Sequence, residues 1–250
     1  MKLMNVYYKE ILSYLEEIME TEVNSMKKAA QAIANEIKRD KIFYVYGPGG
    51  HSNLASQEIF FRAGGLMHVS AILDEGTLLS SGALRSMAIE RIPGYGRVVL
   101  DDYNLKKGDL LIIVNAYGIN AATIDAALYA KEMGLKTIGI SSFEHAINTP
   151  DDHPARHPSK KNLQEIVDIA IDSKIKIGDA VVEIEGLEQK VGAVSTFTNA
   201  FILNNITIEA TRILAEQNLH PPIWKSGNAT GGDEWNNQFI SRFKGKIKRL

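Results

Sequence analysis

The sequence contains no cysteine, which excludes a disulfide framework, thiol catalysis and cysteine-ligated zinc or iron–sulfur centres. It has no excess of positive charge either. Its formal net charge is −2 at pH 7, so nucleic acid is not expected as a main partner. No run reaches the roughly 18 apolar residues that a membrane-spanning helix requires, and no membrane partner is expected. The N-terminal stretch carries Lys9, Glu10, Glu16 and Glu17 where a signal peptide needs an apolar segment. A cytoplasmic location is the resulting expectation. Internal repeats and low-complexity linkers are also missing. What is present is ordinary for a globular chain: 45% hydrophobic and 23% charged residues over 250 positions, enough for a substantial core.

From Val6 to about Arg39 apolar residues recur at helical spacing, among them Ile11, Leu15, Ile18, Met26, Ala30, Ile33 and Ile37. This pattern predicts one long or two successive amphipathic helices. Short apolar runs follow at Lys41 to Tyr46, Met67 to Leu73, Leu110 to Val114, Leu135 to Ile140, Val167 to Ile171 and Val181 to Ile184. Several are apolar on consecutive residues, the pattern of strands buried on both faces of a parallel sheet. Helical patterns lie between them at Ser52 to Ala63, at Ala121 to Met133 and at Ser195 to Gln217. Asn120 is placed to cap the second of these, with Gly134 at its C-terminal end. Alternating strands and helices predict a doubly wound α/β fold. Residues 147–162 read as a polar, proline-rich loop, and the basic tail from Lys244 to Arg249 as a solvated terminus.

The first predicted strand ends in Gly47-Pro48-Gly49-Gly50-His51-Ser52, and a helix follows. In an open α/β sheet, ligands bind beyond the carboxyl ends of the strands, and this loop occupies that place. Its glycines allow close backbone approach, and Ser52 with the amides opening the helix is suited to an anion. No Gly-Lys-Ser/Thr follows, so this is not a Walker loop. The glycine spacing also departs from the dinucleotide fingerprint, although Asp74 does follow the second strand. Glu58 and Arg62 are four apart and share a helix face. They are either a surface pair or, with Phe60 and Phe61 beside them, a partly buried carboxylate suited to proton transfer.

The stretch VYGPGGHSNLASQEIFFRAGGL, from Val45 to Leu66, resembles the start of a sugar isomerase (SIS) domain. More narrowly, it is similar to phosphosugar-binding SIS proteins related to phosphoheptose isomerase. Further segments fit in order: Gly108-Asp109, Ser141 to His145, Arg156-His157-Pro158-Ser159, Gly178-Asp179-Ala180, Val194-Ser195-Thr196, Pro221-Pro222 and Ser226-Gly227-Asn228. The resemblance covers roughly residues 5–240. It implies a three-layer α-β-α sandwich around a five-stranded parallel sheet, the flavodoxin-like SIS fold. On that basis residues 1–40 form an N-terminal helical segment packing on the domain or on a partner subunit, 41–240 the SIS domain and 241–250 the basic tail.

The resemblance further implies a sugar or sugar phosphate as ligand; no cofactor and no metal are expected. It also implies a homodimer or homotetramer with sites near subunit interfaces. Aldose–ketose isomerisation through an enediol is the implied chemistry, with a non-catalytic phosphosugar sensor as the alternative. Glu58 matches the position of the phosphoheptose isomerase acid/base glutamate. That enzyme's histidine on the last helix has no counterpart between Ser195 and Gln217, so His51, His145 and His157 are considered instead, with His51 and His157 carried as catalytic candidates. Gly49, Gly50, Ser52, Asn115, Tyr117, Gly118, Asn120, Ser195 and Thr196 are the candidate substrate-binding residues. The second family loop is normally S-x-S-G, but here it reads Asn115-Ala116-Tyr117-Gly118, with both serines replaced. His153 and His157 are four apart, as in helical metal sites, but Pro154 and Pro158 argue against a helix there. Trp224 and Trp235 are suited either to stacking on a sugar ring or to packing.

Overall fold

Five of the apolar runs pair into one parallel sheet, the arrangement expected of strands with no polar face to turn to water. The computed structural model describes residues 2–250. Two helices come first, α1 (Lys2–Thr21) and α2 (Val23–Ile37). The sheet is built from β1 (Phe43–Tyr46), β2 (Val69–Ile72), β3 (Leu110–Val114), β4 (Lys136–Ser141) and β5 (Ile169–Asp172), in the order β2-β1-β3-β4-β5. Between them run α3 (Ser52–Glu58), α4 (Ala83–Ile89), α5 (Tyr95–Asp101), α6 (Ala121–Glu132), α7 (Phe143–Asn148) and α8 (Leu163–Ile166). A two-stranded antiparallel ribbon, β6 (Ala180–Val182) and β7 (Val191–Ala193), precedes the long α9 (Ser195–Ala215) and the closing α10 (Gly232–Phe243).

Alternation along β3 shows how two layers form. Leu110, Ile112 and Val114 point into a core shared with Ile33 of α2, Ala55 of α3 and Ile202 of α9. Leu111 and Ile113 point the other way, against Leu100 of α5 and Ile124 of α6. The N-terminal helices are tied to the sheet by charge as well. Glu22, between α1 and α2, meets Lys174 at 2.8 Å and accepts from the Asp172 amide at 3.3 Å. Glu36 of α2 is fully buried, with Lys136 Nζ at 2.6 Å. Among the described residues no helix is long and apolar enough to cross a membrane.

Three local expectations are corrected. The helix predicted for Ser52 to Ala63 stops at Glu58, and Phe61 already has φ +52°. A tertiary partner ends it: Gly64 donates to Trp224 and Met67 to Pro222, while Trp224 donates back to Gly65. The run Val181 to Ile184 joins the small ribbon with β7, outside the main sheet. The basic tail is not simply solvated, because Ile247 is buried beside Phe243 and Arg249 meets Glu75 at 2.7 Å.

Loop 149–162 holds its shape through Arg156. Its guanidinium donates to the carbonyls of Ala146, Thr149 and Lys160 and to Asn162 Oδ1, the last at 2.9 Å. Replacing it leaves several carbonyls without donors. Arg156→Ala is expected to cost about 2 kcal/mol, read as a Tm lowered by roughly 4–8 °C. Arg156→Lys, which lacks the planar fork, is expected to recover only part of this by thermal denaturation.

His68 is 1% exposed, edge-on to Phe243, with Asp40, Arg242 and Lys246 facing it. Burial above all, with Arg242 next, depresses its pKa to about 4 from 6.5. The unfolded chain therefore binds this proton first as pH falls. Stability is expected to drop by roughly 3 kcal/mol between pH 6.5 and 4. His68→Phe should flatten that part of the Tm–pH curve, and an unchanged slope would rule the assignment out.

Candidate functional site

The chain runs from β1 outward to β2 and then returns to the other side of β1 to form β3. Beyond the carboxyl ends of β1 and β3 the connections therefore diverge and leave a crevice. The loop after β1 (residues 47–51) and the loop after β3 (residues 115–120) face each other there, across a cavity of about 310 Å³. The start of α9 and the segment through α4 complete its walls.

Backbone geometry sets the first loop. Gly49 has φ +110°, and a Cβ there would lie 2.5 Å from Glu90 Oε2. The positive φ is what favours glycine here, since the Glu90 carboxylate ends a flexible side chain that can shift. Asn115 sets the second loop and fastens it to the first. Its Nδ2 donates to the Pro48 carbonyl at 2.9 Å and approaches Ser52 Oγ at 3.4 Å. Its Oδ1 accepts from the amides of Tyr117 at 3.1 Å and Gly118 at 2.8 Å.

Asp179 does the equivalent at α9. Its carboxylate accepts from the amides of Val194 and Ser195 at 3.0 and 2.8 Å and from the Ser195 hydroxyl at 2.6 Å. A carboxylate at this helix start is favoured by both the free amides and the helix dipole.

Of the candidate ligand contacts, Gly49, Gly50, Ser52, Asn115, Tyr117, Asn120, Ser195 and Thr196 border the cavity. Gly118 does not. It turns the second loop at φ +64°, with Ser141 and Leu163 so close that a Cβ would collide. His51 lines the cavity and is exposed. His157 lies elsewhere: Nε2 is 3.0 Å from Asp125 Oδ1, and Nδ1 is 2.8 Å from Ser159 Oγ. It fastens loop 149–162 to α6 and does not line this cavity. His145 stacks on Tyr117 with ring centroids 3.6 Å apart, and burial lowers its pKa. Trp224 and Trp235 pack with Met67 and Phe243, away from the cavity.

Glu58 is not brought together with the Gly-rich loop. It lines a second cavity of about 230 Å³ between the end of α3 and α9. There it faces Arg62 at 3.5 Å and Asn204 at 3.4 Å. Besides Asp179, the first cavity contains the carboxylate of Glu90, just past α4. Burial raises its pKa, while Arg91 and the neighbouring Asn120 side chain pull it down more weakly. Asn120 also caps α6 through the Thr123 amide at 3.2 Å. Nothing in the sequence marks Glu90, which sits in an ordinary helical stretch, S-M-A-I-E-R. Asp179 lay inside a recognisable segment, but its place at the start of α9 depends on the ribbon that delivers it.

A half-buried carboxylate of raised pKa beside backbone and hydroxyl donors is equipped to move a proton at carbon and to steady a developing oxyanion. The SIS domain matches residues 6–142. The chain is 37% identical over 251 residues to a UPF0309 protein of Caldanaerobacter subterraneus subsp. tengcongensis, spanning 99% of this chain and 100% of that protein. Its fold is similar to that of a phosphoheptose isomerase from Neisseria gonorrhoeae, with TM-score 0.54 at 12% identity over 84% of this chain and 98% of that one. It is also similar to the Vibrio vulnificus NanR protein complexed with ManNAc-6P, with TM-score 0.50 at 11% identity over 98% of this chain and 70% of that one. At such identities these structures speak for the fold, and the family follows from the domain match and the full-length relative: the chain belongs to the SIS-domain family, among its UPF0309 proteins.

Proposed function

We propose that the protein binds a sugar between the β1 and β3 loops and interconverts its aldose and ketose forms, with Glu90 as the proton-transfer group. The observation that carries this reading is the placement of Glu90. It is a half-buried carboxylate of raised pKa at the switch point of the sheet, against the backbone of Gly49. Similarity of fold to a phosphoheptose isomerase and to a protein complexed with ManNAc-6P supports a sugar as ligand.

Glu90 takes the proton from the carbon next to the carbonyl of the open-chain sugar and returns it to the former carbonyl carbon. The carbonyl oxygen gains a proton and the neighbouring hydroxyl loses one, so the product is an isomer and no other reactant is consumed. The Ser52 and Thr196 hydroxyls stand at the cavity wall to hold the oxygens of the enediol. The sequence reading assigns the acid/base role to Glu58. Pairing with Arg62 in a separate cavity makes that residue the weaker candidate.

Solvent deuterium entering the carbon next to the carbonyl, followed by NMR over a panel of sugars, tests the activity. Glu90→Gln is expected to slow exchange about 100-fold or more with ligand affinity within a few-fold. Glu58→Gln should leave exchange near the original rate; the opposite pattern returns the role to Glu58. Ligand binding without exchange in any sugar would favour the sensing alternative. Because the base works deprotonated, kcat/KM should fall with acid through a limb above the ordinary carboxylate value of 4.5. A pH–rate profile reads that limb directly, and a limb at or below 4.5 would exclude Glu90 as the base.

A further inference from the structure

A further cavity, of about 140 Å³, lies at the amino end of β2, away from the loops that follow β1 and β3. It gathers segments far apart in the chain: the end of α2, His68 just before β2, residues 219–222 after α9, and Arg242 of α10. Four basic side chains line it, Lys38, His68, His220 and Arg242, and no carboxylate does among the described residues. Asp40 stands beside it and accepts from Arg242 Nε at 3.1 Å and Lys246 Nζ at 3.5 Å, which offsets part of the positive charge. The helix ends do not account for these cations. Their last carbonyls already accept from turn amides, Ile37 from Asp40, and Leu214 from Gln217 and Leu219.

The buried imidazole separates this cavity from a patch of surface charge. His68 is 1% exposed, yet neither of its ring nitrogens has a hydrogen-bond partner. Asp40 Oδ1 is 3.7 Å from Nε2, beyond hydrogen-bond reach. Such a group gives up its hydrogen bonds to water, and native interiors rarely leave that loss uncompensated. With a pKa of about 4 the ring is neutral at pH 7 and offers one N–H donor. One water needs about 10–15 Å³, so the cavity takes a larger guest. Its remaining walls are apolar, among them Ile37, Leu214 and Leu219. A compact oxyanion suits both features, its oxygens accepting from the imidazole and the two cations while its body rests on the aliphatic side.

We infer that this cavity is a binding site for a small oxyanion, a carboxylate or a phosphate, held by His68, Lys38 and Arg242. It is separate from the proposed sugar site and does not depend on it. An anion bound there ties the ends of α2 and α9 to α10.

The test is NMR of the histidine Cε1–H resonances at pH 7 during titration with sodium acetate and with sodium phosphate, ionic strength being held constant with sodium chloride. The His68 resonance, identified by its absence in His68→Phe, is expected to shift and to saturate in the millimolar range with at least one of the two oxyanions. Lys38→Gln, at the exposed rim, should weaken that affinity several-fold, and Arg242→Gln likewise. Thermal denaturation verifies that each variant is folded. A shift that chloride alone reproduces, or one that never saturates, overturns the inference. Affinity unchanged in both variants also overturns it, since the anion would then be held by other groups. Movement of the His51 resonance without that of His68 places the anion in the first cavity, which removes this site and leaves the sugar site standing.

Discussion

The side chain of Asn115 joins the two loops on which the candidate site depends. Its amide nitrogen reaches back to the β1 loop at Pro48, and its oxygen gathers the turn amides of Tyr117 and Gly118. β1 and β3 are neighbours in the sheet, but their loops leave in different directions, so proximity alone does not define a cavity. A fully satisfied side chain buried between them does, because any movement of one loop would strip hydrogen bonds that water cannot replace. Ser52, at the start of α3, is within reach of the same nitrogen.

A second side chain does comparable work at α9. Asp179 arrives on the turn before the β6–β7 ribbon and closes the start of the longest helix after the sheet. Together the two side chains make a cavity that is rigid at its polar points and negative in charge. Glu90 adds to that character from the α4 side, held up by burial and restrained by Asn120.

Much of the fold was legible because burial on both faces of a parallel sheet writes itself into consecutive residues. Leu110 to Val114 is apolar throughout, and all five side chains are buried. Asn120 and Gly134 marked both ends of α6 by local chemistry alone. Where the reading failed, a distant segment had intervened. Nothing between Ser52 and Ala63 announces that Trp224 will take the backbone of Gly64 and Gly65 and end the helix early. Lys248 and Arg249 look like a solvated terminus until Asp102 and Glu75 are placed beside them.

The candidate site divides in the same way. Gly49, Gly50, Ser52 and the β3 loop were legible because glycines after a strand and a cap before a helix are local signals, and a sheet's topology puts such loops together. Which carboxylate accompanies them was not a local matter. Glu58 is closer in sequence to the Gly-rich loop, yet α3 carries it to a separate cavity, whereas Glu90 returns to Gly49 from the far end of α4. His157 likewise has the residue type of a catalyst and the partners of a brace. The sequence by itself determined the sheet, the helices on its faces and the loops that meet at its switch point, since these follow from periodicity and caps. Only the tertiary structure decided which charges face the cavity, because that depends on long-range packing that no short window of residues contains.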